Sequence, residues 1–210
     1  MQQTASCSTL VDALAVRGHA HASAIRIAAV LFVASLTAAA AQFSIPVPFT
    51  VVPFTLQPMV VLLGGLALGP RLGLASQALY LMAGVAGLPV FAASATLPPG
   101  ALRLLGPTGG YLLSYPVAAL LVGYLAERGF DRRYATSVLA MAAGLLVIYT
   151  SGVLWLGVFV MEPARSTPIG LQAAIAAGVY PFFLADLLKL VAAAGVLPGF
   201  WHLIGRTRIR

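Results

Sequence analysis

The sequence predicts an all-α integral membrane protein with six transmembrane helices and both termini in the cytoplasm. Three observations carry that prediction. Hydrophobic residues make up 60% of the 210 positions and charged residues only 8%, where a soluble domain carries about 25% charged. Mean hydropathy is +0.98. The apolar residues fall in runs that Pro, Gly or charge interrupts, and a span takes about 20 residues. The same composition excludes disorder, which requires low hydrophobicity. The 21 Gly follow no period of three, so the chain is not collagen-like.

The first span begins near Arg26 and ends at Ala41, before Pro46 and Pro48, which cannot continue a helix. The segment 45–57 is rich in proline and β-branched residues, so it reads as an ordered, non-helical loop. Its apolar side chains, Phe49, Val51, Val52, Phe54 and Leu56, predict that it folds back onto the membrane domain. A short second span, Pro58 to Leu68, stops at the turn LGPRLG. The third runs from Leu72 to Leu88, and a long loop from Pro89 to Gly106 follows. The fourth opens with GPTGGYLLS and reaches Ala126; ERGFDRR is a charged turn. The fifth runs from Tyr134 to Val160, EPARSTP is a polar loop, and the sixth runs from Leu171 to Val196. Residues 1–24 read as a cytoplasmic N-terminal tail, 25–197 as the transmembrane domain and 198–210 as a basic cytoplasmic tail, with Trp201 as an interfacial anchor.

The charges orient these spans. Nine cations (Arg17, Arg26, Arg71, Arg128, Arg132, Arg133, Arg206, Arg208 and Arg210) fall on one side, and only Arg103 and Arg165 on the other. Cytoplasmic loops collect Lys and Arg, so both termini are expected inside the cell. This distribution accounts for the net charge of +7 without nucleic acid, whose binders cluster basic residues on a soluble face. The one cysteine, Cys7, allows neither an intramolecular disulfide nor a cysteine metal site, and the three His form no metal signature. Walker loops and activated nucleophiles are absent from the sequence, which argues against an enzyme. No internal repeat suggests an inverted-repeat carrier.

The remaining cation, Lys189, lies within the sixth span with Asp186. An ionisable group at membrane depth costs at least about 2.5–3.5 kcal/mol, so such groups pair or face a polar cavity. Spacing i, i+3 puts both on one helix face. Two readings remain: a ligand-binding pair, or an ion pair that only fixes packing. GPTGGYL at 106–112 offers free N–H groups at a helix start near Thr108 and Gly109, or close packing through small residues. Tyr111 adds an aromatic surface, and Arg103 is a candidate for a ligand carboxylate. In the first span, Ala24, Ala28, Ala34 and Ala38 are spaced for close helix approach, within the protein or with a partner.

PVPFTVVPFTLQP at 46–58, LGPRLG at 68–73, GLPVFA at 87–92, GPTGGYL at 106–112 and Asp186-x-x-Lys189 after Pro181-Phe182 resemble, in this order, the BioY family. These are the biotin-binding S components of energy-coupling-factor (ECF) transporters. The resemblance implies an S-component fold in the bacterial inner membrane, with biotin as bound substrate and no cofactor in this chain. It also implies an EcfT-like coupling subunit packed on the first helix, which raises Ala34 and Ala38 and secondarily Ala24 and Ala28, and two ATPase subunits. For biotin it implies Asp186 on the ureido N–H groups and Lys189 on the ring oxygen. Tyr111, Phe54 and Phe91 would wall the apolar ring. Arg103, or the N–H groups near Thr108 and Gly109, would take the carboxylate, and the loop 45–57 would form a lid with Gln57 at its root. The opposite assignment puts Lys189 on the carboxylate. Two departures stand out: Ala93–Pro99 lacks a glycine pair before Arg103, and Leu184-Ala185 replaces a Pro-Gly before Asp186, predicting a straighter sixth helix. A self-sufficient secondary carrier for biotin or another small carboxylate is the alternative.

Overall fold

The computed structural model describes residues 9–17, 21–48, 50–94, 97–162 and 167–206. Among these the chain is helical almost throughout. Nine helices form in the order α1 (Leu10–Arg17), α2 (Ala22–Gln42), α3 (Gln57–Leu68), α4 (Pro70–Val85), α5 (Gly109–Glu127), α6 (Tyr134–Phe159), α7 (Gly170–Gly178), α8 (Tyr180–Ala193) and α9 (Val196–Arg206). A 3-10 turn, Ala101–Leu105, precedes α5. By length and apolar composition, four segments can cross a membrane: Ala22–Gln42, Gly109–Glu127, Tyr134–Phe159 and Tyr180–Leu203. Helices α3 and α4 are shorter. Large apolar side chains point outward, among them Ile27, Phe32, Leu146 and Leu184. That is the surface a multi-pass membrane protein offers to lipid.

Helix α5 is the centre of the bundle and packs on α3, α4 and α6. In the C-terminal half of α5 the buried stripe is made of small residues, Ala118, Ala119, Val122, Gly123 and Ala126, which let neighbours approach closely. At Gly65 of α3 a Cβ would stand 2.7 Å from the Ala119 carbonyl oxygen, so this crossing needs glycine. The turn between α3 and α4 is equally specific. Gly69 has φ +81°, the left-handed region, and its N–H closes α3 on the Gly65 carbonyl. Pro70 then starts α4, where its missing N–H is not needed.

The expected loop at 45–57 is non-helical over its described residues up to Leu56, and Gln57 already opens α3. Ile45 and Phe54 exchange both backbone hydrogen bonds at 2.9 Å, so the chain leaves α2 and returns to α3 as an antiparallel excursion. Val52 is buried in the main core. The polar loop after α6 is instead a two-stranded ribbon, Met161–Glu162 against Thr167–Pro168. The expectations placed on Phe49, Arg165, Cys7, Arg208 and Arg210 lie outside the described residues.

Three elements differ from the sequence expectation. The N-terminal tail contains α1, whose start is fixed by Thr9: its hydroxyl donates to Asp12 Oδ2 and accepts from the Asp12 N–H, a capping arrangement. Arg26 then pairs with Asp12 at 3.1 Å and ties α1 to α2. The sixth span is not a single helix, and its break falls before Leu184-Ala185. Pro181 has no N–H for the Ala177 carbonyl, so α7 ends at Gly178 and α8 starts at Tyr180. Beyond α8 the chain is helical through Arg206 as α9. The Trp201 indole N–H donates to Asp131 Oδ2 at 2.6 Å, and the Arg132 guanidinium stacks on the indole ring at 3.5 Å. Trp201 therefore fastens α9 to the α5–α6 turn.

Candidate functional site

The segment 50–56, the loop after α4, the start of α5, the middle of α6 and the first turns of α8 enclose a cavity of about 330 Å³. Ligand pockets run from about 300 to 1,000 Å³. Val52, Leu112, Tyr115, Ile148 and Phe182 make much of the wall apolar. Polar groups enter at a few points: Thr50, Thr55, Gln57, Ser94, Arg103, Thr108, Tyr149 and Asp186. A second recess of about 520 Å³ adjoins it and shares Phe91, Ala93, Ser94, Leu97 and Arg103.

Asp186 is the acceptor in this wall. It is 7% exposed, and its two oxygens have different partners. Lys189 donates to Oδ1 at 2.8 Å, and the Tyr149 hydroxyl donates to Oδ2 at 2.7 Å. A carboxylate has about four lone-pair sites, so each oxygen can still accept from a ligand. The i, i+3 spacing does bring the pair together on one face. Lys189 has further contacts besides Asp186. Its ammonium also donates to the Thr55 carbonyl at 2.7 Å and lies 3.4 Å from the centroid of the Phe54 ring. Lys189 is thus occupied with Asp186, the loop backbone and an aromatic face, and it is not part of the cavity lining.

The other expected residues divide the same way. Tyr111, Thr108, Gln57, Phe91 and Arg103 border the cavity. The Tyr111 hydroxyl donates to the Gly178 carbonyl at 2.9 Å, so its ring faces the cavity while its polar end holds the helix break. Gln57 donates to the Tyr80 hydroxyl at 2.6 Å, and Phe91 packs edge-on against Tyr80. Arg103 donates to the Ala92 carbonyl at 2.8 Å and the Pro98 carbonyl at 3.2 Å. It gathers the long loop and borders both recesses. Partial burial lowers its pKa from the ordinary guanidinium value, against an opposing effect of Tyr80. Phe54 stands behind the wall, stacked on Phe182. Gly109 also stands behind it: its N–H donates to the Gly106 carbonyl at 3.0 Å, and a side chain there would run into Leu104 and Trp155. The close-packing reading of the glycine pair is the one the geometry supports.

The Ala positions on α2 also separate. Ala24 and Ala28 are exposed, Ala38 is half-buried, and Ala34 is buried at 7% within the main core. Ala34 faces into the protein because α2 turns this side toward α3 and α4, so it does not present a surface to a partner. Among the cavity residues missed from sequence are Tyr149 and Thr50. A tyrosine in an apolar span and a threonine in an apolar loop carry no pattern of their own. Their hydrogen-bond partners lie 37 and 127 residues away.

A family model described as the BioY family matches residues 12–206. A protein of Pyrococcus horikoshii named "Probable biotin transporter BioY" is 42% identical over 163 residues, 78% of this chain and 87% of that protein. The "Biotin transporter BioY" of Thermotoga maritima is 39% identical over 150 residues, 71% of this chain and 81% of that protein. Among solved structures, the S-component for biotin from an ECF-type ABC transporter has a TM-score of 0.72 and covers 86% of this chain and 92% of its own. At 22% identity this likeness is one of fold.

Proposed function

Because this chain belongs to the BioY family, we propose that it binds biotin and serves as the substrate-binding subunit of an ECF-type uptake system. One observation carries the reading: Asp186, a carboxylate acceptor, and Arg103, a cation, border one mostly apolar cavity of about 330 Å³. Biotin has ureido N–H donors at one end, a carboxylate at the other and apolar rings between. Asp186 accepts from the ureido N–H groups, with Tyr149 beside it. Tyr111, Tyr115, Phe91 and Phe182 wall the rings, and Arg103 takes the carboxylate. Lys189 holds Asp186 in place; with its donors already directed at Asp186 and Thr55, it is the weaker candidate for the carboxylate. Binding and translocation leave biotin unchanged, so the chain acts as a transport protein and not as an enzyme.

The proposed topology has six spans, α2, α3, α4, α5, α6 and the broken pair α7–α8, with both termini on the cytoplasmic side of a bacterial inner membrane. Residues 25–197 form the binding domain between the two tails. A transmembrane coupling subunit docks on the outward face of α2 at Ala24 and Ala28, and separate ATPase subunits supply the energy.

Biotin methyl ester tests the assignment of poles. It lacks the anionic carboxylate, so it binds wild-type protein more weakly than biotin by roughly tenfold or more, the scale of a charge-assisted hydrogen bond. In Arg103→Ala the two ligands bind alike. Discrimination that persists in Arg103→Ala and disappears in Lys189→Ala reverses the assignment.

A further inference from the structure

We infer that Thr50 is a positioning residue for ligand retention: its hydroxyl fastens the segment 50–56 over the cavity by bonding the helix carbonyl that Pro181 leaves free. The inference rests on the proposed reading of the cavity as the biotin site. In a continuous helix the Ala177 carbonyl accepts from the N–H of residue 181. Proline at 181 has none. An apolar span has no water to take over that carbonyl, so a partner must come from the protein. The partner is the Thr50 hydroxyl, at 2.7 Å and 127 residues away in sequence. The direction of this bond is fixed locally. Thr50 Oγ1 accepts from the Val52 N–H at 3.2 Å, so the hydroxyl hydrogen is left to donate to Ala177.

The neighbouring carbonyl, Gly178, takes the Tyr111 hydroxyl. Thr50 and Tyr111 therefore complete one helix break from two sides, and both border the cavity. Five residues after Thr50, the Thr55 carbonyl accepts from Lys189, the partner of Asp186. The segment between is thus held at both ends by the sixth span, once at the break and once at the ion pair. Val51, Val52 and Pro53, which lie between these fastenings, form part of the cavity wall. A ligand beneath this segment leaves only when a fastening opens. Of the two, the Thr50 bond involves no charge and is the weaker.

The test is biotin release from the purified full chain, loaded with radiolabelled biotin and chased with unlabelled biotin. Thr50→Val keeps the shape and removes the hydroxyl. It speeds release by about tenfold, the effect expected when a partly buried carbonyl loses its donor. Thr50→Ser keeps the hydroxyl and releases at close to the wild-type rate. Pro181→Ala supplies the missing N–H, occupies the Ala177 carbonyl within the helix and also speeds release. Adding Thr50→Val to Pro181→Ala then changes nothing further. An unchanged release rate in Thr50→Val, an equal rise in Thr50→Ser, or additive effects in the double variant overturn the inference. If Thr50→Val does not fold, Pro181→Ala decides: release at the wild-type rate overturns it. Wild-type protein that binds no biotin overturns the site reading instead, a different result from binding with an unaltered release rate.

Discussion

Asp186 and Lys189 act as a unit with Tyr149, and their energies are coupled. Their side chains are 8% and 13% exposed and 2.8 Å apart. Removing one partner of such a pair leaves the other buried and uncompensated, at a cost of about 3–5 kcal/mol, while removing both costs far less. Lys189→Met therefore lowers the thermal unfolding temperature in detergent more than the double variant Asp186→Asn/Lys189→Met does. Additive losses would show that the pair is not a unit. The residue scale is also where the sequence was most and least informative. Asp186 and Lys189 stood out because charge in an apolar span is costly, and Arg103 because cations are scarce on its side. Tyr149 and Thr50 did not stand out, since hydroxyls are tolerated anywhere in such a chain and only the fold shows which carbonyl or carboxylate each one meets.

At the scale of elements, five of the six expected spans match helices within a few residues, because Pro, Gly and charge mark their ends. The sixth differs for a local reason: Pro181 can open a helix as readily as interrupt one, and hydropathy does not distinguish the two. Helix α9 was missed because Pro198-Gly199 reads as the end of the sixth span, whereas the segment continues as a helix that packs through Leu197 and Trp201. Its attachment gives a pH prediction. Asp131 is fully buried and burial raises its pKa, against the Trp201 N–H and Arg132, which lower it. A raised folded-state pKa gives stability that is present below the unfolded value, about 3.9, and lost as pH rises through the folded value. Asp131→Asn keeps an acceptor for Trp201 without the charge. It is expected to melt higher than wild type at pH 7–8, with the difference shrinking toward pH 4. A difference that grows on acidification contradicts this account.

For the whole molecule, a cavity bounded by elements from across the chain sits apart from the outward face of α2. A subunit that binds its ligand itself and takes energy from a partner needs those two surfaces separate. The ordered motifs pointed to the cavity, whereas composition alone could not say which Ala of α2 face outward. Ala28→Trp is expected to abolish co-purification with a transmembrane coupling subunit and leave thermal stability near wild type. Ala34→Trp is expected to lower stability, because its side chain must enter the core. A destabilised Ala28→Trp, or a stable Ala34→Trp that loses the partner, reverses the assignment of faces.

Equilibrium binding of radiolabelled biotin to the detergent-purified protein tests the central claim most directly. The predicted result is saturable binding by the isolated chain, reduced at least tenfold in Asp186→Ala, where the acceptor for the ureido group is lost. Folded wild-type protein without saturable binding, or Asp186→Ala with wild-type affinity, would contradict it.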